Sequence, residues 1–469
     1  MANPTSWKFW GSTLHIRFTV VLFVVVSSMD NAALATPVPL YQQIASHLGI
    51  AESAIGAITA IVILLIGLAS FGAGYLGDLR QRKPVLSIST AIWAGGMIWS
   101  STADTYIVYL VSQLLAAVGF GGVISVGLSL VNDLISPRHR GLALSVWGLS
   151  QGLGVGVGIL LGGLLGATEW QTPFLVIGLV GVAASALYLL AYEPEVGQRE
   201  EELAPLLERG ERYSHRIKPS DLPAMLAKRS NVWLLLAATV SQIGYGSMVW
   251  LPRLFSEKAQ SAGLGLEQAT VVGSTVAVAF QIGGIFSIVA GHLGDRWNLR
   301  DMRGRVFLSG LGTSLSVPFF LGMFILPLTL SNDIGSTQKE VILGLAKALF
   351  SEPGVVLVFG FAFVAIALSS IDSPNWFASV AEVNLPEHRG TIFGVAHLGI
   401  AVGRSIGAGG TGIVINVIAA HADAPYDHVW ALSLAALFFL PAAACYWLSA
   451  RSITNDRLAV RRILQRRSA

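Results

Sequence analysis

Charged residues are scarce in this sequence, and their scarcity limits the kinds of protein that it can encode. Only 12% of the 469 residues are charged, whereas 53% are hydrophobic. A soluble domain usually has about 25% charged residues. The apolar stretches are also long, and about 20 consecutive apolar residues are enough to cross a hydrocarbon core. The composition therefore excludes a large soluble enzyme and predicts a protein that crosses a membrane many times.

Cysteine is nearly absent as well. The single Cys445 allows neither a disulfide framework nor a thiolate metal site within one chain. The sequence contains no G-x-x-x-x-G-K-[ST] and no H-E-x-x-H motif. We therefore predict no catalytic residues, no enzyme activity, no cofactor and no metal. The net charge of +3 does not require a nucleic-acid partner, because it follows from the basic loops described below.

The apolar runs predict an all-α membrane protein with twelve transmembrane helices in two six-helix bundles. No small-residue cleavage site follows the first run, so we interpret that run as a retained helix. The predicted spans lie near residues 17–42, 53–77, 84–103, 106–134, 140–167, 171–192, 231–254, 267–293, 305–330, 355–383, 390–419 and 427–450.

Basic residues in the loops predict the orientation. Of the 30 Lys and Arg residues, Arg404 lies inside a span, and four lie on one face of the membrane: Arg253, Lys258, Lys339 and Lys347. The others lie on the face that carries both termini. Basic residues mark the cytoplasmic face, so we expect both termini in the cytoplasm and the chain in the inner (plasma) membrane bilayer.

A polar segment divides the twelve spans into two sets of six. We predict an N-terminal bundle at 1–192, a cytoplasmic linker at 193–230, a C-terminal bundle at 231–452 and a basic cytoplasmic tail at 453–469. A polar insert at 331–353 is placed on the outer face. The linker is expected to be partly helical, and we interpret its charges as a solvated surface rather than a binding site.

Two motifs recur in the predicted halves. "GYLGDLRQRK" (74–83) matches "GHLGDRWNLR" (291–300), and "DLISPRHRG" (133–141) matches "EVNLPEHRG" (382–390). Two homologous six-helix halves are typical of secondary transporters, in which the substrate site lies between the halves near the bilayer midplane.

These motifs resemble the signature loops of the major facilitator superfamily. "SSMDNAAL", "GYGSMVWLPRLF" and "SPNWFASVAEVNLPEHRG" further resemble its spinster-type branch. The resemblance implies the twelve-helix fold, alternating access, and a lysophospholipid or a sphingosine phosphate as substrate. Because Asn31 stands where that branch usually has Arg, an anion-binding role falls to Arg404.

The resemblance also implies a gating latch on the cytoplasmic side. In the first half we assign Asp78, Arg82 and Asp133 to it, with a pair of opposite charges joining spans 2 and 4. The expected counterparts in the second half are Asp295, Arg300 and Glu382. The alternative is that these charges only set the topology and cap helix ends.

Three charges lie near mid-depth in the predicted spans: Asp30, Asp372 and Arg404. A charge there is costly, so each should face a cavity or a partner. We predict that Asp30 binds the coupling proton and that Arg404 binds an anionic substrate group. Asp372 is either the partner of Arg404 or a second titrating acid, and the pair could be a static link between spans 10 and 11. Asn375 and Trp376 lie one turn from Asp372 and could contact substrate, although packing roles are the alternative.

We therefore expect a proton-coupled transporter of a small amphiphilic substrate. The alternative in the same class is a carrier of drugs or small organic anions. A sensor built on a transporter scaffold would show binding without flux. Because one chain contains the whole pathway, a monomer is expected.

Overall fold

A computed structural model of the chain describes residues 13–50, 52–166, 169–209, 211–330, 335 and 337–468. These residues form α-helices, short 3₁₀ turns and connections, without a β-strand. The first nine helices are α1 (Thr13–Ala35), α2 (Tyr41–Leu48), α3 (Glu52–Leu79), α4 (Arg82–Ser100), α5 (Tyr106–Leu134), α6 (Arg140–Leu165), α7 (Gln171–Tyr188), α8 (Ala204–Glu208) and α9 (Asp221–Ala227).

Twelve further helices complete the described chain. They are α10 (Arg229–Ser247), α11 (Leu251–Ser261), α12 (Leu266–Ala279), α13 (Phe286–Arg300), α14 (Gly304–Ile325), α15 (Gln338–Ser351), α16 (Pro353–Ser369), α17 (Asp372–Glu382), α18 (Arg389–Ala419), α19 (Tyr426–Ala436), α20 (Phe439–Ser449) and α21 (Ile453–Ser468). Helix α15 lies in the predicted insert, of which residues 331–334 and 336 fall outside the described residues.

The chain forms two compact units. The first consists of Met1–Lys228, Val380–Leu398 and Asn455–Ala469, and the second of Arg229–Ser379 and Gly399–Thr454. The end of α17, the start of α18 and most of α21 therefore belong to the first unit. The second unit has a continuous apolar core that includes Phe255, Phe320, Phe324 and Phe439.

Ten helical segments of the described chain are long and apolar enough to cross a membrane. The two other predicted spans correspond to α4 and to the α12–α13 region. Helix α4 begins with Arg82 and Lys83 and contains several Ser and Thr residues, which lower its hydropathy. Helices α12 and α13 have only 14 and 15 residues because the 3₁₀ turn Phe280–Ile285 separates them.

Proline explains three interruptions of the predicted spans in the second half. Pro252, Pro374 and Pro441 each lie four residues after a point where the α-helix is interrupted. Proline has no backbone N–H and cannot bond to the carbonyl four residues earlier. The breaks fall at the 3₁₀ turn Met248–Trp250, between α16 and α17, and between α19 and α20.

Glycine lets α6 lie directly against α1. A Cβ at Gly154, Gly158 or Gly162 would collide with the backbone oxygen of Ser28, Ala32 or Thr36, respectively. By contrast, a Cβ at Gly148, Gly152 or Gly156 would meet nothing. One stripe of glycines thus makes the close backbone contact that small residues permit between membrane helices.

The linker up to Lys228 and most of helix α21 pack on each other in the first unit. The segment contains a 3₁₀ turn (Glu201–Leu203), α8 and α9, in agreement with a partly helical linker. Leu203 and Tyr213 of this segment form a small apolar cluster with Leu385 and with Val460 and Leu464 of α21. The predicted tail is therefore an ordered helix in this structure.

Candidate functional site

Asp30 lies in the interior of the first unit. Its side chain is 4% exposed, and neither carboxylate oxygen has a hydrogen-bond partner. The Trp93 indole of α4 and the Tyr188 ring of α7 are close enough to interact electrostatically with it. Their polar atoms, Nε1 and the hydroxyl oxygen, also lack hydrogen bonds. The carboxylate therefore faces the interior of the helix bundle, whereas the sequence predicts a cavity or a partner at this position.

Asn31, the next residue, connects α1 to α6. Its Nδ2 atom donates a hydrogen bond to Gln151 Oε1 and another to the Ser27 carbonyl at 3.2 Å. Trp147 Nε1 of α6 also donates to Ser27 Oγ, at 3.0 Å. Asn31 thus belongs to a polar link between two helices of the first unit.

Asp372 begins α17 in the second unit and is 8% exposed. The Tyr446 and Ser309 hydroxyls lie near its carboxylate, and Ser309 Oγ also donates to the Asp372 backbone carbonyl at 3.4 Å. No ion pair joins Asp372 to Arg404, although both residues are described. The Asp372–Arg404 pair, which is one of the two roles considered for Asp372, is therefore not formed in this structure, and the role of a second titrating acid stays a prediction.

Asn375 and Trp376 are buried and bond to neighbouring backbone. Asn375 Nδ2 donates to the Ile371 carbonyl at 2.9 Å and to the Ala290 carbonyl at 3.3 Å. Trp376 Nε1 donates to the Leu234 carbonyl at 2.8 Å. Both side chains hold helices of the second unit together, which corresponds to the packing alternative.

Arg404 is the exposed member of the three mid-depth charges. It lies in α18, and its Nε donates to Gln242 Oε1 of α10 at 2.7 Å. Tyr245 is close enough to interact electrostatically with it. A guanidinium has five N–H donors in a planar fork, so this one bond leaves most of its donors available to a ligand.

Asp78 binds the start of α18 within the first unit. Its carboxylate accepts the Gly390 N–H at 2.9 Å, the Thr391 N–H at 2.6 Å and the Thr391 hydroxyl at 2.7 Å. A Cβ at Gly390 would lie 2.7 Å from Asp78 Oδ1 and 2.6 Å from the Gly74 carbonyl. The repeated glycine–aspartate motif therefore allows a close contact between α3 and α18.

Five buried charges form what we call the arginine–carboxylate cluster: Arg82, Asp133, Arg140, Glu200 and Arg389. Arg82 pairs with Asp133, and Arg389 lies 3.1 Å from the same carboxylate. Glu200 Oε1 is 2.7 Å from Arg389 and 2.5 Å from Arg140. Alternating charges thus connect α4, α5, α6 and α18 through a residue of the linker.

The pKa of Glu200 reflects these partners. Burial raises it, but the guanidinium groups of Arg140 and Arg389 outweigh burial and lower the pKa of this carboxyl from 4.5 to about 2. Glu200 is therefore ionised at neutral pH. The interpretation of the linker charges as a solvated surface is wrong at this residue.

The expected counterpart of the latch in the second half is not assembled as predicted. Asp295 pairs with Arg305 at 2.5 Å, whereas Arg300 is exposed at the end of α13. Glu382 belongs to the first unit and pairs with Arg457 of α21 at 3.1 Å. Glu382 ends α17, whereas Asp295 lies inside α13, which continues to Arg300. The basic partners of both acids come from neighbouring helices.

A further ion pair, between the buried Glu387 and the partly buried Arg467, is not predicted from the sequence. Glu387 accepts a hydrogen bond from the Tyr213 hydroxyl at 2.9 Å and lies 2.6 Å from Arg467. Tyr213 belongs to the linker and Arg467 to α21. In the sequence, the linker and α21 both combine basic residues with apolar residues at intervals suited to packing, and this pattern is the signal that could have revealed their contact.

The fold and these buried charges describe a polytopic membrane protein of the transporter class. The family model of the Major Facilitator Superfamily matches residues 20–408, and the chain belongs to this family. It is accordingly an integral, multi-pass membrane protein of this family, and the predicted all-α twelve-helix fold is confirmed.

Two curated relatives are similar to this chain, and the similarity extends over a different length in each. The sphingosine-1-phosphate transporter SPNS2 of Mus musculus is 24% identical over 324 residues, which cover 64% of this chain and 55% of the relative. The chain thus spans about half the length of that relative. A probable 4-methylmuconolactone transporter of Cupriavidus pinatubonensis is 24% identical over 382 residues, which cover 80% of this chain and 77% of the relative.

A solved structure supports the same fold. It is a bacterial homolog of the human lysosomal transporter spinster in an inward-facing and unoccupied conformation. The match has a TM-score of 0.59 and 17% identity, and it covers 95% of this chain and 99% of the other. At this identity the likeness shows the fold alone.

Proposed function

We propose that the chain is a proton-coupled secondary transporter, working by alternating access, of an amphiphilic lipid with an anionic headgroup. A lysophospholipid or a sphingosine phosphate fits this description. The observation that carries the proposal is the exposed guanidinium of Arg404 inside a span. A charged side chain inside a span is stable when it faces a polar cavity rather than lipid tails.

The chemistry of Arg404 suits a phosphate group. Its planar fork can donate two parallel hydrogen bonds to phosphate or carboxylate oxygens. Gln242 holds Nε and leaves the terminal nitrogens free of other bonds among the described residues. The likeness to SPNS2, whose name gives sphingosine 1-phosphate as its substrate, supports an amphiphilic cargo.

Asp30 is the proposed proton carrier. An ionised carboxylate buried without a partner is costly, so we propose that Asp30 carries a proton in the arrangement seen here. Deprotonation would then require a rearrangement that brings water or a cationic group to this position. Such a requirement links proton release to a conformational step.

The test is a flux assay in proteoliposomes with and without an imposed proton gradient. We expect uptake of labelled lysophosphatidic acid to depend on the gradient and to fall at least about tenfold in Arg404→Gln, since charge-assisted hydrogen bonds are lost. Arg462→Gln, which changes an exposed arginine of α21 that belongs to no predicted site, serves as the matched control and should leave uptake unchanged. Asp30→Asn should remove the gradient dependence.

A second candidate is a carrier of small organic anions. The Arg404–Gln242 pair and the Cupriavidus relative favour it. Gradient-driven uptake of an aromatic carboxylate without uptake of the lysolipid would assign this function instead. Transport of neither substrate class would contradict both candidates.

A further inference from the structure

Three ionisable side chains of the second unit meet where α11 lies beside α19. Glu257 belongs to α11, and Asp427 and His428 lie in the first turn of α19. None is more than 7% exposed. His428 Nδ1 lies 2.9 Å from Glu257 Oε2 and 3.0 Å from Asp427 Oδ1. We call these three residues the α11–α19 cluster.

The α11–α19 cluster has more hydrogen-bond acceptor atoms than protons that can be donated to them. His428 Nδ1 has at most one proton, which can point at only one carboxylate. Asp427 Oδ1 is in hydrogen-bond geometry with Nδ1, whereas the buried Glu257 Oε2 has no hydrogen bond despite its proximity. The nearby Lys258 does not supply one, because its ammonium group donates to the Met323 and Leu326 carbonyls.

Each member of the cluster is held by a further contact. Asp427 Oδ1 accepts the His428 backbone N–H at 2.7 Å. Glu257 Oε1 lies 2.8 Å from Arg253 Nε. The His428 ring meets the Trp250 indole edge-on, with 6.1 Å between ring centroids. Contacts of this kind orient the ligands of metal sites and leave one atom of each residue pointing at the centre.

We propose that the α11–α19 cluster binds a divalent transition-metal cation of the Zn²⁺ type. Imidazole nitrogen and carboxylate oxygen are ligands that Zn²⁺ and Co²⁺ accept. The ligand atoms of the three residues lie within 4.8 Å of one another. In tetrahedral coordination with bonds of about 2.1 Å, ligand atoms are about 3.4 Å apart, so a small outward movement of the side chains admits the ion.

The sequence predicts no metal because no motif indicates this site. Glu257 and the Asp427–His428 pair are about 170 residues apart, and only the fold brings them together. Two carboxylates balance the charge of a divalent cation. The bound ion would join α11 to α19 directly, and a water molecule would complete its coordination.

The experiment is a Co²⁺ titration of the purified full-length protein in detergent, without a histidine tag and after chelator treatment. We expect one saturable set of visible d–d absorption bands per chain, with the intensity of four-coordinate Co²⁺, and displacement of these bands by Zn²⁺. His428→Ala should abolish the bands. His421→Ala changes an exposed histidine and should leave the bands intact.

Folding is checked by the thermal unfolding temperature of each variant in the same detergent. If His428→Ala fails to fold, Asp427→Asn, which keeps the side-chain size, should weaken Co²⁺ binding at least tenfold. Zn²⁺ should also raise the unfolding temperature of the wild type but not that of Asp427→Asn. Absence of saturable bands in the wild type, or their persistence in a folded His428→Ala protein, would overturn the proposal.

Discussion

At the scale of single residues, Glu200 shows how one carboxylate can serve two arginines. It contacts Arg140 and Arg389, and both guanidinium groups are buried. Removing one partner from a buried ion pair is strongly destabilising, because it leaves an uncompensated charge. Glu200 therefore stabilises the first unit as long as it is ionised.

We predict that Glu200→Gln destabilises the protein at pH 7 by on the order of 3 kcal/mol. The folded-state pKa of about 2 lies below the ordinary value of 4.5, so the contribution is complete above pH 4.5 and is lost as the pH falls towards 2. Thermal unfolding in detergent should therefore show a gap between wild type and variant that narrows from pH 7 to pH 3.

The matched control is Glu201→Gln. Glu201 pairs with Arg138, and both side chains are 62% exposed, so this pair should contribute little. Equal unfolding temperatures for Glu200→Gln and wild type at pH 7 would contradict the assigned role of the buried carboxylate.

The individual charges could be found from the sequence, but their partners could not. The repeated motifs identify Asp78, Asp133 and Asp295 because an acid recurs at the same position of each motif. Pairing depends on distances across helices, so Asp295 meets Arg305 rather than Arg300. Glu200 looks like one member of an exposed charge run, and only the fold shows that it is buried.

At the scale of elements, most of helix α21 packs within the first unit. Its arginines pair with Glu382, Glu202 and Glu387, and Val460 and Leu464 enter the small apolar cluster. A segment that reads as a basic tail therefore contributes both charge and apolar contacts to the fold.

We predict that Leu464→Ala destabilises the protein by about 2 kcal/mol, because Leu464 is 1% exposed and its removal leaves a cavity. Ile463→Ala removes a neighbouring side chain that is 38% exposed and should change the stability by less than about 0.5 kcal/mol. Thermal unfolding of both variants in one detergent provides the comparison. Similar losses in the two variants would argue against docking of α21 through Leu464.

Helix interruptions could in part be predicted from proline positions. Pro252, Pro374 and Pro441 mark three of them, since each residue lacks the donor that the carbonyl four residues earlier needs. Pro318 lies inside the unbroken α14, so proline alone does not decide the outcome. The break at Phe280–Ile285 contains Gly283 and Gly284 but no proline, and hydropathy gives no sign of it.

At the scale of the whole molecule, the length of the apolar runs and the charge of the loops predict most of the fold and the topology. The twelve-helix family fold follows from the runs and from the repeated motifs, because both are local patterns. The composition of the two compact units does not follow, since α21 and the start of α18 are assigned by contacts between distant parts of the chain.

The predicted orientation can be tested through the single cysteine. In a Cys445→Ala background, Lys339→Cys places a thiol in the insert and Arg462→Cys places one on α21, both at exposed positions. We expect a membrane-impermeant maleimide to label Lys339→Cys in intact cells and Arg462→Cys only after permeabilisation. The reverse pattern would place both termini outside.

The glycine contact between α1 and α6 has a mechanical consequence. Gly154, Gly158 and Gly162 repeat every four residues, as do Ser28, Ala32 and Thr36 opposite them. A displacement of α6 along α1 by four residues, about 6 Å, would therefore align two of the three glycines with backbone oxygens again. Sliding of one helix along the other by about one turn would therefore restore most of the close backbone contacts that it breaks.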